Sequence, residues 1–157
     1  MTDIDAIFKW ADANRDDPKF KGSEGATLIG VHGETLRTRI RTGKARAVVQ
    51  PAGETRSNLS YSLSMMVHNL LFHHLAKFSE ELNFDDLSRD YLDEVLVKGK
   101  KDIWLELKCL NGEWTPMSLS ERGQPDLSHS HEPIFLMPIG VMISKLVLNL
   151  HAKAGNA

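Results

Sequence analysis

The chain has 157 residues, of which 41% are hydrophobic and 25% charged, and its formal net charge is -2. That length and composition fit one soluble globular domain, residues 1 to 157, and exclude disordered, collagen-like and coiled-coil chains. The charge exerts no global pull toward nucleic acid, so such affinity must come from local clustering; a single cysteine, Cys109, excludes an intramolecular disulfide and a cysteine-only zinc site.

In chain order, the first stretch, MTDIDAIFKWADANRDD, is charged throughout and lacks the basic start and apolar core of a secretory signal, which points to the cytoplasm. Thr2 is placed to cap a helix to about Asn14, with Asp3 and Asp5 in its first turn and Ile4, Ile7, Phe8 and Ala11 as one apolar stripe. Residues 15 to 26 mix charge with proline and glycine and read as a loop. From Thr27 to Gln50, Leu36, Thr38 and Ile40 alternate with Arg37, Arg39 and Arg41, and a Thr42-Gly43 turn leads to Lys44 through Val49; this predicts a β-hairpin.

Beyond the loop Pro51 to Ser57, apolar residues from Leu59 through Met66, Leu70 and Phe78 to Leu82 keep three-and-four spacing and predict one long helix. Asp85 and Asp86 predict a short capped helical turn to Arg89. Asp93 to Cys109, DEVLVKGKKDIWLELKC, then predicts two strands around a Gly99-Lys100 turn. Asn111-Gly112 is a strong hairpin signal leading to a strand over Glu113 to Thr115, which Pro116 confines to a sheet edge. Residues 118 to 133 are polar and turn-rich, and Pro138 suits the first turn of a closing helix to about Lys153. The apolar run Ile134 to Leu150 is interrupted by Pro138, Lys145 and Asn149, so it reads as core and no membrane partner is expected. The fold class expected is α+β: a small mixed or antiparallel sheet with β-hairpins, packed against the long central helix and the C-terminal helix.

Chemistry is first suggested by charges in the Asp93 to Cys109 hairpin. A type II′ turn at Gly99-Lys100 sets a register in which Asp93 faces Glu106. Strand alternation gives Ile103, Leu105, Leu107 and Cys109 one face and Trp104, Glu106, Lys108 and Leu110 the other, so Asp93, Glu106 and Lys108 cluster. Opposed carboxylates with Cβ atoms about 4.5–5.5 Å apart repel each other, and a divalent cation would offset that repulsion. Mg²⁺ or Mn²⁺ held there would polarise a phosphoryl oxygen, while Lys108 activated the attacking water or neutralised developing charge, which is the chemistry of phosphodiester hydrolysis.

Asp93, twelve intervening residues and Glu106-Leu107-Lys108 resemble the PD-(D/E)XK nucleases of restriction-endonuclease-like fold. The resemblance covers Ser79 to Cys109 and implies that Asp93 and Glu106 bind the metal and that Lys108 assists the nucleophilic water. It further implies a glutamate from the preceding helix, Glu81 with Glu80 as substitute, as an auxiliary ligand. The chain departs from the family pattern at Leu92, where the family has proline, and at the Asn-Gly turn after Glu-x-Lys, where the family commonly has a helix.

The earlier hairpin, with Thr42-Gly43 as its turn, places Arg37, Arg39, Arg41, Lys44 and Arg46 on one side. Five cations so placed suit the phosphates of nucleic acid, or else keep an exposed strand edge from aggregating. His129-Ser-His131-Glu132 offers three possible metal ligands but no partner motif of recognised spacing, and reads as a solvated loop. The function expected is Mg²⁺- or Mn²⁺-dependent nucleic-acid hydrolysis by Asp93, Glu106 and Lys108, with Glu81 auxiliary and the arginines on the backbone. The alternative is a non-enzymatic adaptor, chaperone or inhibitor that binds a protein partner through a sheet edge and the apolar C-terminal segment.

Overall fold

In the computed structural model, which describes residues 3–51, 57–119 and 133–155, the first helix, α1 (Ile4–Ala13), is capped by Asp3, whose carboxylate accepts from the N–H groups of Asp5 and Ala6. Ile7, Phe8 and Ala11 of its apolar stripe are buried and Ile4 is exposed. The loop predicted over residues 15 to 26 instead contains β1 (Phe20–Lys21) and the start of α2 (Gly22–Ile29). Gly30, in the left-handed region at φ 74°, ends α2, a position suited to a residue without Cβ.

The hairpin predicted over Thr27 to Gln50 does not form. Arg37 through Arg41 lie in α3 (Gly33–Arg41), capped by His32, and β2 (Val48–Pro51) comes later. Leu36 and Ile40 are two steps of two apart, as a strand would have them, but also one step of four. A helix therefore buries both on one side as readily as a strand does, and here Leu36 is buried and Ile40 packs against the core.

The long helix is shorter than its periodicity. Leu59 belongs to β3 (Ser57–Tyr61), and α4 spans Leu63–Leu75 after the cap Ser62, whose hydroxyl accepts from the Met65 N–H at 3.1 Å. Residues on every side of α4 are buried, including His68 and Asn69, and the helix packs against α2, β3 and the later α5 (Phe84–Leu92) and α6 (Ile139–Gly155). A helix apolar all round is a central helix. Phe78 and Leu82, which the periodicity assigned to the same helix, lie past its end and still pack on the core.

The second expected hairpin is also absent. α5, capped by Asn83, runs directly into a π-helical turn, Asp93–Val97, in which Lys98 N–H bonds to the Asp93 carbonyl at 3.0 Å. Phe84, Tyr91, Leu92, Val95 and Leu96 are buried at helical spacing, and Gly99 at φ 71° stops the helix instead of turning a hairpin.

Only the second half of DEVLVKGKKDIWLELKC is a strand: β4 (Trp104–Leu110) pairs antiparallel with β5 (Glu113–Leu119) across the Asn111-Gly112 turn and with β6 (Ile134–Met137) on its other side. Asn111 and Gly112 both have positive φ, as a two-residue hairpin turn requires, and Pro116 lies on the outer strand β5, as expected. A second antiparallel sheet has the order β1-β3-β2. The class is thus α+β, with two small sheets around helices. The closing helix α6 faces the core with Ile139, Ile143, Leu146, Val147 and Leu150, and no described helix is long and apolar enough to cross a membrane.

Candidate functional site

Because Asp93 is in the π-helical turn, it does not face Glu106. Its carboxylate accepts from Arg15 Nη1 at 2.8 Å; Arg15 also holds Asp12. Across the sheet Glu106 has Met117 and Leu136 as its register partners. Glu106 is 3% exposed, and its Oε1 lies 3.1 Å from Lys108 Nζ without an aligned hydrogen bond. Alternation along β4 is thus right in setting Glu106 beside Lys108, and wrong in bringing Asp93 to them.

Glu81 is exposed in the segment after α4, where its N–H donates to Ser79 Oγ, and Glu80 is paired with Lys44 at 3.3 Å. Among the described residues no group of three or more His, Cys, Asp or Glu side chains is placed to hold a metal ion. The Mg²⁺ or Mn²⁺ set of Asp93, Glu106 and Glu81 therefore does not come together. His129 and His131 lie outside the described residues. The C-terminal apolar segment invoked for protein binding is spent on the core, leaving Val141 and Leu148 exposed on α6.

The five cations do not share one face either. Successive helical residues are rotated by about 100°, so Arg39 points about 200° away from both Arg37 and Arg41. Arg37 pairs with Glu34 at 3.3 Å and Arg41 donates to Thr38 Oγ1, both at the exposed surface. Arg39 turns inward to α4: its Nη1 donates to His73 Nδ1 at 3.2 Å and its guanidinium carbon lies 5.5 Å from the Phe72 ring centroid. Lys44 and Arg46 leave from the connection after α3, toward Glu80 and Asp85 respectively.

Between α3 and α4, two of the five cations, Arg39 and Lys44, line an open groove of about 670 Å³. One wall carries Glu34, Thr35, Thr38, Arg39, Thr42 and Lys44; the other carries Phe72, His73, Ala76, Lys77 and Glu80. Glu34 is engaged by Arg37 and Glu80 by Lys44, whereas among the described residues Arg39 and Lys77 have no carboxylate ion-pair partner. Lys77 instead sits over the rings of Phe78 and Phe135, 5.2 and 5.4 Å from their centroids. Burial, with Arg39 and Lys77 adding to it, holds the His73 pKa below its ordinary value, and the neighbouring His74 is lowered by burial, His73 and Lys77. The groove lining thus carries three cations against two carboxylates, both of them ion-paired, and is rich in donors.

Two buried polar residues of α4 hold the cationic connection in place. Asn69 accepts the Arg46 N–H at 2.7 Å and donates to the Arg46 carbonyl at 2.9 Å, closing a ring with the backbone. His68 lies with Nδ1 2.8 Å from Asp85 and Nε2 3.4 Å from the Lys44 carbonyl, and its burial lowers its pKa against the opposing pull of Asp85. Asp85 also accepts from Arg46 at 3.2 Å; Arg46 and His68 outweigh the effect of burial and bring its pKa below the usual value. His68, Asn69, His73 and Lys77 were missed from sequence. One signal was available: a polar His68-Asn69 pair interrupts an otherwise apolar helix.

No protein-family model, curated protein or solved structure matches the chain.

Proposed function

We propose that the protein binds the phosphate backbone of a nucleic acid in the α3–α4 groove. What carries this reading is the convergence of Arg39 and Lys77, two cations without carboxylate partners among the described residues, beside Lys44 and the lining residues Thr35 and Thr38. A phosphodiester offers two non-bridging oxygens that share one negative charge, which suit a guanidinium fork and ammonium donors, and it would offset the part that Arg39 and Lys77 add to the effect of burial on His73. The buried Asn69 and His68 support the reading, since a cationic connection held by buried hydrogen bonds is preorganised for a ligand.

The test is fluorescence anisotropy of a labelled single-stranded oligonucleotide at low salt. Arg39→Gln and Lys77→Gln should each weaken binding about tenfold, the worth of one charge-assisted hydrogen bond. Lys98→Gln, outside the groove lining and paired with Glu94, should leave affinity where it was. Equal losses for Lys98→Gln and Arg39→Gln would mean that general charge attraction, and not this groove, does the binding.

Hydrolysis is a second reading, favoured by the buried Glu106 carboxylate with Lys108 3.1 Å away. Its assay is Mg²⁺- or Mn²⁺-dependent cleavage of DNA and RNA. Cleavage by wild type that Glu106→Gln and Lys108→Ala abolish would establish it; equal activity in all three ends it and leaves the binding reading intact.

A further inference from the structure

Arg39 and His73 meet in a way that only one protonation state of the histidine allows. A guanidinium has donors and no acceptor. At 3.2 Å from Arg39 Nη1, His73 Nδ1 must therefore accept, which places the single proton of the neutral ring on Nε2. In this state part of the Arg39 donor capacity is spent on a neighbouring side chain instead of on the groove. Protonation of Nδ1 by solvent would set two donors against each other and free that N–H. It would also add a third positive charge between Arg39 and Lys77.

Every charged group around the ring bears on that step. From α3 come Arg39 and Glu34, the latter already engaged by Arg37. From the connection after α3 comes Lys44, neutralised by Glu80 beyond the end of α4. From α4 and its end come His74, with its ring centroid 4.9 Å away, and Lys77. The balance is cationic, so charge as well as burial resists the His73 proton in the empty groove, and an anion placed there offsets the part that charge supplies.

We infer that phosphodiester binding in this groove is coupled to uptake of one proton at His73, which releases Arg39 to the ligand. The inference rests on the groove reading above and states how that site is regulated. Its sign follows from linkage. The free-protein pKa of His73 lies below the ordinary 6.5, and a bound anion raises it. Affinity is therefore greatest below the free-protein pKa, falls as pH rises between the two values, and is flat above the bound value.

The experiment measures anisotropy of an oligothymidylate of about twelve nucleotides without terminal phosphates, at constant ionic strength, between about pH 5 and 8. Such a probe has diester charges only, so its backbone does not titrate with the histidines. Wild-type affinity should fall about three- to tenfold per pH unit within the coupled window. His73→Gln should bind at every pH as weakly as wild type does at high pH. His74→Gln should keep the wild-type slope. In parallel, the NMR titration midpoint of the His73 ring should move upward on saturation with the probe. A slope that survives in His73→Gln, or a midpoint that the probe leaves unmoved, overturns the coupling while the groove reading stands. Wild type that binds the probe at no pH overturns both.

Discussion

Asn69 is 2% exposed and satisfies both main-chain groups of Arg46 with one side chain. Truncation removes both partners at once. Asn69→Ala should therefore lower unfolding stability by about 1–3 kcal/mol, measured by chemical denaturation, because a polar group left unsatisfied away from water keeps its desolvation cost. A loss of a few tenths of a kcal/mol would mean that water replaces the amide and that the connection is not clamped. At this scale the sequence identified which residues were chemically unusual without saying what they touch. Glu106 and Lys108 were rightly paired, because alternation along one strand is a local property. Asp93 was wrongly added, because its partner Arg15 stands 78 positions away.

Elements were legible where a turn or cap has its own chemistry. Asn111-Gly112 specified its hairpin, and Pro116 specified the edge, because positive φ and a missing N–H act wherever the chain goes. Gly99 shows the limit: one left-handed glycine serves a helix stop and a hairpin turn equally, and the choice fell to Leu92, Val95 and Leu96, which are buried at helical spacing. Gly140 is a third kind of glycine, used for close approach. A Cβ there would lie 2.4 Å from the Lys101 carbonyl oxygen and 2.8 Å from the Ile103 nitrogen, and both are backbone atoms that side-chain rotation does not move aside. Gly140→Ala should lower stability by about 1–3 kcal/mol despite a helix-propensity gain of up to about 1 kcal/mol. Gly155→Ala, with open space around its Cβ, should not. Thermal denaturation compares the two, and equal midpoints would show that α6 shifts freely on the turn before β4.

For the whole molecule, the net charge of -2 works against any polyanion at a distance, so binding must be local and shallow in its ionic-strength dependence. With Arg39 and Lys77 as the cations at the backbone, Lys44 being held by Glu80, the plot of log affinity against log salt should have a slope of about -1.4 for a single strand. A slope several times steeper would imply a much larger contact surface than the groove. The sequence by itself determined the α+β class, the outermost helices, the hairpin at Asn111 and the place of Pro116, since capping, turn chemistry and chain polarity act over a few residues. Tertiary structure alone decided that Arg37 to Arg41 are helical, that Asp93 continues a helix, and that Arg39, His73 and Lys77 share one groove. Short apolar patterns fit two periods until a surface exists to bury them, and charges from distant segments meet only after that burial is complete.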